Sequence, residues 1–577
     1  MRQWMVAAKK ADFYVIAEKF HVDPVVARII RNREVIGEKN IRIYLGGNLS
    51  DLSDPHQMKD MDRLVEILAQ KIRKQVHIRI IGDYDVDGVT SSHLFLTALR
   101  RVGAKVDVVI PHRIQDGYGL SLHLLQQAKE DGVDTILTCD NGIAAIDEIA
   151  WAKAQKMTVL VTDHHAVPFE EHEGRRTEKK SLADAVVNPH QQDCGYPYKE
   201  LCGAGVAWNV IRVLYENYDM DKREAEDLLD FVAMATVCDV MSLTGENRIL
   251  VKEGLKRIRH TKNIGLQALM QACNVQQENI SAYHFGYVLG PCVNATGRLD
   301  TARHALRLFE TGQETEAEEI ARDLVDLNQE RKELTLQGVE MAKKLCEEGG
   351  YENDPILVLF LPDVHESIAG LIAGRIREMY NRPVFVLTRG EEGVKGSGRS
   401  TENYSMYENM CGCAELFTKF GGHPMAAGLS LPEENVEKFR RKINENCPLT
   451  VEEVCPDIHI DMAMPVGYAS TELVHQFALL EPFGKDNPSP LFADRNLSIS
   501  RMWVIGKNRN VLRMSVLSEY GQPVPVIFFG DVETLFAYFT EKFGQEEVEN
   551  ALHGRKNRIL FSMVYTCLLY TSDATEE

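Results

Sequence analysis

The sequence has no excess of positive charge: its 65 Lys and Arg are outnumbered by 85 Asp and Glu, for a formal net charge of -20 over 577 residues. That excludes a protein that coats nucleic acid through its overall field. A local basic groove remains compatible with it, because exposed charges are screened beyond about 8 Å. Long apolar runs are also missing. The longest, such as Ile356–Leu361, have the length of a buried strand and fall far short of the ~18 residues of a membrane span. The 12 cysteines follow no regular spacing, and no apolar signal core follows Met1-Arg-Gln-Trp4. This argues against a disulfide scaffold and predicts reduced thiols in the cytoplasm, with no membrane partner. No internal repeat is visible.

What is present is ordinary globular material: 44% hydrophobic and 26% charged residues, enough chain for about three or four domains at roughly 100–200 residues each. From Val76 to Val187, short β-branched or apolar runs alternate with helical stretches, the order of a parallel α/β sheet. Strands are expected at His77–Ile81, Lys105–Ile110, Asp134–Cys139 and Thr158–Thr162, with helices at Ser91–Arg101, Leu120–Glu130 and Ile143–Lys156. A mostly helical section follows from Gly203 to about Gly349; its part from Ala302 to Glu348 lacks Pro and reads as one or two long connecting helices. A second α/β pattern runs from Asp354 through a helix at Ile368–Tyr380 and a strand at Pro383–Leu387 to the glycine-rich Gly421–Gly428. From Cys455 short alternating strands, such as Leu497–Ile505 and Val511–Val516, predict a small β-barrel. Thr566–Glu577 continues no pattern and is expected to be an atypical tail, which would leave the barrel incomplete.

Each strand of the first α/β region ends in a polar cluster, and ligands of open α/β sheets bind beyond the carboxyl ends of the strands. Gly82-Asp83-Tyr84-Asp85-Val86-Asp87-Gly88 follows the first strand. In an extended segment alternate residues point one way, so Asp83, Asp85 and Asp87 would share a face and need a cation. Taken alone, an Asp-rich turn facing water is the weaker alternative. The other strand ends repeat the chemistry, with Asp140-Asn-Gly142 and Asp163-His164-His165, and Asp239 follows an apolar helical run. Hard oxygen ligands with imidazole suit Mn²⁺ or Mg²⁺, and four acidic loci plus His are the inventory of a two-metal phosphoryl-transfer site.

These three motifs, in this order and each after a strand, resemble those of the DHH phosphoesterase superfamily. Within it the chain is similar to the RecJ branch of single-strand-specific 5′ exonucleases. That branch is suggested by Gly203–Ala207, Asn294-Ala-Thr-Gly-Arg298, His365–Gly370, Lys395–Ser400, Gly421-Gly-His-Pro424 and Leu480–Gly484 with Asn487-Pro488. The resemblance implies an α/β protein: an N-terminal helical extension over 1–60, a parallel-sheet DHH catalytic domain over 61–325 and a connecting helix over 326–350. A DHHA1-like substrate-binding domain over 351–450, an OB-like barrel over 451–565 and the 566–577 tail complete it.

By the same resemblance Asp85, Asp87, Asp140, His164 and Asp239 hold two Mn²⁺ or Mg²⁺ ions, with Asp83 in the same motif. Asp140 bridges the ions, and a water acidified by both is the nucleophile. His165 contacts the scissile phosphate, and Asp163 orients an imidazole; a core histidine satisfied by backbone is the weaker alternative for His165. Asn294, Arg298 and His365 match substrate-contacting positions, Ser397 and Arg399 fit a 5′-terminal phosphate, and Gly421, Gly422 and His423 lie along the cleft between the α/β domains. Out of context Gly-Ser-Gly-Arg399 is a surface turn. In the barrel Trp503, Lys507, Arg509 and Arg513 are candidates for strand binding, with Trp503 as core the alternative. Trp208, Phe285 and Tyr287 read as packing, and Cys411 and Cys413 are too isolated for zinc.

The function implied is metal-dependent removal of nucleotides from the 5′ end of single-stranded DNA in repair and recombination. Single-strand-binding protein and a helicase are the implied partners, and a monomer the implied form. A phosphodiesterase of short oligonucleotides or cyclic dinucleotides, a hydrolase of pyrophosphate and a non-catalytic replication scaffold are the competing readings. The barrel and the chain length disfavour the first two, and the full set of Asp85, Asp87, Asp140, His164, His165 and Asp239 disfavours the third.

Overall fold

The computed structural model describes residues 4–567 other than 114–115, 117–118, 173–174, 352, 391–392, 456 and 507–508. Lys507 and the tail from 568 onward lie outside the described residues. The chain divides into two compact units: Gly47–Pro456 with Pro482–Asp486, and Arg2–Gly46 with Asp457–Glu481 and Asn487–Glu577.

In the first unit a parallel sheet has the order β2-β1-β3-β4-β5, made of β1 (Ile78–Ile81), β2 (Val106–Val109), β3 (Thr135–Cys139), β4 (Thr158–Thr162) and β5 (Ala185–Val187). Both faces are covered, so the inner strands are continuous buried runs. Ile80, Leu137 and Leu160 pack with the helices Met61–Arg73, α1 (Val86–Arg101) and α2 (Gly203–Asn217). Their neighbours Ile81, Ile136 and Val161 pack on the other face with Leu122–Glu130 and Ile146–Ala154. The strand order reverses between β1 and β3, which makes their carboxyl ends the crevice where such sheets hold ligands.

Helix α1 begins at Val86, five residues before the expected Ser91, because Asp85 caps it: its carboxylate accepts from the backbone N of Gly88 at 3.1 Å. The Asp83–Asp87 segment is therefore a strand-to-helix turn with the helix's positive end at the acidic cluster, in place of the extended run the sequence suggested.

The section from Ala302 holds two helices, Arg303–Glu310 and the 35-residue α5 (Glu314–Glu348). Helix α5 is about 52 Å long at 1.5 Å per residue. Its Ala317, Ile320 and Leu324 belong to the first domain's core, and its Val339, Ala342 and Cys346 to that of a second sheet. That sheet has the order β9-β10-β8-β7-β6, from β6 (Leu357–Phe360), β7 (Val384–Gly390), β8 (Gly393–Arg399), β9 (Lys419–His423) and β10 (Ala426–Leu431). One rigid rod thus enters both cores.

The second unit holds β11 (Met462–Ala463), β12 (Phe492–Ile505), β13 (Val511–Leu517), β14 (Pro523–Phe529) and β15 (Leu560–Tyr565), with β15 pairing β12 beside β11. Among the described residues β14 pairs only with β13, so the sheet is an open half-barrel rather than a closed one. The N-terminal segment expected as an extension ahead of the catalytic domain is built into this unit. Trp4–Val6 pairs in parallel with Ile458–Ile460, and Arg33 forms a two-pronged ion pair with the buried Asp461, 2.7 and 3.0 Å. Asn487 accepts from the Tyr44 hydroxyl at 2.7 Å and donates to the Leu480 carbonyl, so that motif residue holds the unit's own interior.

Candidate metal centre and phosphate pocket

Strand ends and two helix termini bring the acidic groups together. Asp83 and Asp85 follow β1, Asp87 lies in the first turn of α1, Asp140 follows β3 and His164 and His165 follow β4. Asp239 caps the carboxyl end of α3 (Leu229–Cys238). Ligand atoms of Asp83, Asp85 and Asp140, of Asp87, His164 and Asp239, and of Asp140, His164 and His165 form three groups, each within 4.8 Å. Nε2 of His164 lies 3.1 Å from Asp140, 3.5 Å from Asp239 and 3.6 Å from Asp87 and has no hydrogen-bond partner.

The electrostatics say what this geometry needs. Burial and Asp85 hold Asp83 well above the usual carboxylate range. Burial and Asp87 do the same to Asp140 and to Asp239, and burial with Asp85 lifts Asp87 to about 6. Burial holds the His164 imidazole down to about 4, in its neutral, ligating form. Crowded buried carboxylates around an unpartnered imidazole nitrogen fit divalent cations. The thiols nearby fit less well: burial first, then Asp87 and Asp83, pushes Cys139 up to about 12, and burial with Asp87 lifts Cys202 too. An oxygen-rich set with neutral thiols suits Mn²⁺ or Mg²⁺ over thiolate-bound zinc.

The surroundings fix the cluster. Asp87 accepts from the backbone N of Gly203 at 2.5 Å and of Ala204 at 2.7 Å, the first turn of α2. A Cβ at position 203 would stand 2.6 Å from Cβ of Asp140, which explains why the Gly203 motif starts with glycine. Asp163 accepts from His164 N, His165 N and His165 Nδ1, and its other oxygen accepts from Ile143 N. Burial would raise Asp163, yet the bond to His165 and both imidazoles keep it below its usual range. Burial would lower His165, yet Asp163 first, then Asp239 and Asp87, hold it up to about 9.

Beside the cluster a cavity of about 460 Å³ is lined by Tyr84, Arg113, Ser367, Lys395, Ser397 and Lys419, with Gly421. Arg298, on α4 (Gly290–Leu299), donates to the Ser367 carbonyl at 2.6 Å. Arg399 donates to Ser397 Oγ at 3.3 Å. Burial, then Arg113, Arg331 and Arg399, lowers Arg298 to about 10; burial and Arg377 lower Arg399. Guanidinium groups crowded on one another are what an anion completes, and the carboxylate that lines the cavity, Glu366, is paired with Lys395 at 2.7 Å. Asn294 accepts from Val86 N at 3.2 Å and so steadies the Asp85 turn.

Other expected residues, like Arg298 and Arg399, do not themselves line the cavity. His365 caps a short helix through Ser367, with Nδ1 at 2.7 Å from the hydroxyl. Gly422 and His423 sit on the exposed edge strand β9, His423 hydrogen-bonded to the Ala426 carbonyl, and neither lines the cavity. Trp208 and Phe285 are buried, but Tyr287 is 72% exposed and does not pack into the core as expected. Trp503 is half-buried with Arg501 at 5.0 Å and Arg513 at 5.9 Å over its ring, an arrangement neither purely core nor bare surface.

Three residues of the site escape the sequence pattern. Tyr84 stands hidden between two aspartates, and Arg113, over its ring at 4.8 Å, follows β2 by the same strand-end rule that finds the acids. Lys485 bears electrostatically on Asp239, and its carbonyl accepts from Leu243 N at 2.9 Å; only its neighbourhood to the Leu480–Gly484 motif points there.

Residues 77–236 match the DHH family, N-terminal domain, residues 353–447 the DHHA1 domain and residues 460–565 the RecJ OB domain. The chain is 34% identical over 518 residues to the single-stranded-DNA-specific exonuclease RecJ of Haemophilus influenzae, covering 86% of this chain and 88% of the relative. It is 33% identical over 511 residues to the protein so named from Bacillus subtilis, covering 88% of this chain but only 63% of that relative's length. The crystal structure of RecJ in complex with Mn²⁺ from Thermus thermophilus aligns with a TM-score of 0.76 at 27% identity, over 90% of this chain and 74% of that one.

Proposed function

The chain belongs to the RecJ family of single-stranded-DNA-specific exonucleases, and we propose on that premise that it hydrolyses single-stranded DNA from the 5′ end to 5′-mononucleotides, in DNA repair and recombination. The observation that carries this is the convergence of Asp87, Asp140 and Asp239 on the unpartnered Nε2 of His164. Asp83, Asp85, Asp87, Asp140, His164 and Asp239 are the residues to hold two Mn²⁺ or Mg²⁺ ions. When bound, the ions supply the charge that acidifies water and offsets that of the phosphate. His165, held by Asp163, presents its imidazolium to the scissile phosphate. Ser397, Arg399, Arg298 and Arg113 take the terminal 5′ phosphate, which the crowding of these guanidinium groups supports.

The proposed division of labour puts chemistry in 61–325, terminal recognition in 351–450 across the connecting 326–350, and strand binding in 451–565. No described helix is long and apolar enough to cross a membrane. Family membership supports a cytoplasmic monomer that works with single-strand-binding protein and a helicase.

Digestion of 5′- and 3′-labelled single strands, duplex and matched RNA with Mn²⁺, Mg²⁺ or chelator, beside Asp140→Ala, tests the reading. Mononucleotides leave the 5′ end of single-stranded DNA, and both chelator and substitution stop them. Intact long strands with hydrolysed dinucleotides would replace it by a short-substrate phosphodiesterase.

A further inference from the structure

We propose that Tyr283 and Tyr287 form a stacking platform for bases of the substrate strand beyond the metal centre, an inference that rests on the single-stranded-DNA reading above. Their rings lie stacked, centroids 5.1 Å apart and planes within 24°, yet they are 62% and 72% exposed. Tyr283 also meets the His284 ring edge-on at 5.7 Å, and two large aromatic rings ordered this way and open to water offer π-surface to a base.

The segment that carries them is fixed to the site. Phe285 and Leu289 anchor it in the core, and residues Phe285–Leu289 form a π-helical turn leading directly into α4. Such wide turns recur at functional sites. On the neighbouring stripe Gly286 and Gly290 bring its backbone against Val237 and Cys238, where a Cβ at 290 would stand 2.4 Å from the Cys238 sulfur. The Cys238 thiol donates to the Phe285 carbonyl at 3.3 Å. Val237 and Cys238 are the last two residues of α3, and the next is Asp239.

Val240 follows in the left-handed region at φ 54° and is 62% exposed. A β-branched residue in that conformation is strained, and it puts an apolar side chain at the surface immediately after a metal-site carboxylate. The segment that carries the tyrosines is thus packed on the last turn of α3, which leads into Asp239.

One continuous stretch of helix then carries three stations. The tyrosines stand at its start, Asn294 holds the Asp85 turn in its middle, and Arg298 reaches the phosphate pocket at its end. At 1.5 Å per residue, Tyr287 and Arg298 are about 16 Å apart along the axis. A strand whose 5′ phosphate sits by Arg298 crosses the metals and meets the tyrosines with its next bases. Stacking on aromatic rings tolerates any base, as an enzyme that digests every sequence requires.

The test compares the full-length wild type with Tyr283→Ala/Tyr287→Ala and Tyr283→Phe/Tyr287→Phe. Binding is measured by polarisation of labelled single strands in chelator, and KM on strands of increasing length with Mn²⁺. The alanine pair weakens binding of a long strand about five- to a hundredfold, the range of one stacked base, and raises KM more on long strands than on a dinucleotide. The phenylalanine pair restores both, since it keeps the rings. Replacing the bases nearest the 5′ end by abasic sites lowers wild-type binding by the same factor and makes wild type and alanine pair alike. An alanine pair that binds long and abasic strands like the wild type overturns the platform and leaves the rings to a protein partner. A wild type that cuts no single strand overturns the reading beneath it, which the binding data alone would not do.

Discussion

Asp163 holds His165 twice through one oxygen, accepting from its backbone N at 3.0 Å and its Nδ1 at 2.8 Å. The carboxylate thus sets the ring's orientation as well as its charge, while its second oxygen is tied to Ile143 N at 2.9 Å. Asp163→Asn keeps the shape but removes the charge. The expected outcome is a kcat lowered about 10- to 100-fold, the usual cost of losing a partner that orients an active-site imidazole. Mn²⁺ affinity by calorimetry changes far less, because Asp163 belongs to none of the three candidate ligand groups. Equal loss in both measurements would make Asp163 a structural prop.

This network is partly legible in the sequence. The acids and histidines stand out because each ends an apolar run, and a chain that buries such a run presents the next polar residues at the sheet's carboxyl edge. The start of α1 is not legible: Val86, Gly88 and Val89 are poor helix formers, and a cap bond from Asp85 outweighs them. The pairing of Trp4–Val6 with Ile458–Ile460 spans almost the whole chain and leaves no local trace. Tyr287 is misplaced by periodicity, which assumes 3.6 residues per turn, whereas the π-turn at Phe285–Leu289 shifts the helical phase.

Gly203 offers a steric test of the cluster. Alanine normally favours a helix over glycine by about 0.5–1 kcal/mol, but here its Cβ would meet Asp140 at 2.6 Å and push α2's first N–H groups away from Asp87. Gly203→Ala should weaken Mn²⁺ binding at least about tenfold, within the range seen when ligand-orienting partners are lost, and lower activity with it. Gly374, in the helix Ala369–Tyr380 with nothing within 4 Å of a built Cβ, is the control. Gly374→Ala should leave metal binding alone and raise stability by roughly 0.5–1 kcal/mol. Calorimetric metal titration and urea unfolding of both variants give the answer.

The proposed phosphate pocket predicts a preference for a phosphorylated terminus. Ser397 lines the cavity and Arg399 donates to its hydroxyl, so Ser397→Ala and Arg399→Gln each remove a donor at that wall. KM for 5′-phosphorylated strands should rise about tenfold, as for a charge-assisted hydrogen bond of roughly 1.5 kcal/mol, while KM for 5′-hydroxyl strands stays put. Parallel rises on both substrates would place the pair on the strand at large and not on its end.

The middle of α1 and the first turn of α3 carry a pair of titrations that oppose each other. His93 is buried against Phe231, with ring centroids 4.4 Å apart, and burial, then Arg100, lowers it to about 4. Its Nδ1 has no hydrogen-bond partner. An unfolded histidine titrates near 6.5, so between those values the unfolded chain binds the extra proton. This contribution is present above pH 6.5 and is lost as the pH falls through about 4, on the order of 3 kcal/mol in all. Asp230, which accepts from Thr261 and from Phe231 N, is lifted by burial to about 6. Here the folded protein binds the extra proton, so stability falls by roughly 3 kcal/mol as the pH rises from about 4 to 6. The two windows overlap and the signs are opposite, so the pair hides itself in the native protein. Single substitutions expose it: relative to His93→Phe the wild type should gain stability from pH 4 to 6.5, and relative to Asp230→Asn it should lose stability over nearly the same interval. Urea unfolding at half-unit steps reads both differences, and two flat differences would mean that neither group is held uncharged by the fold.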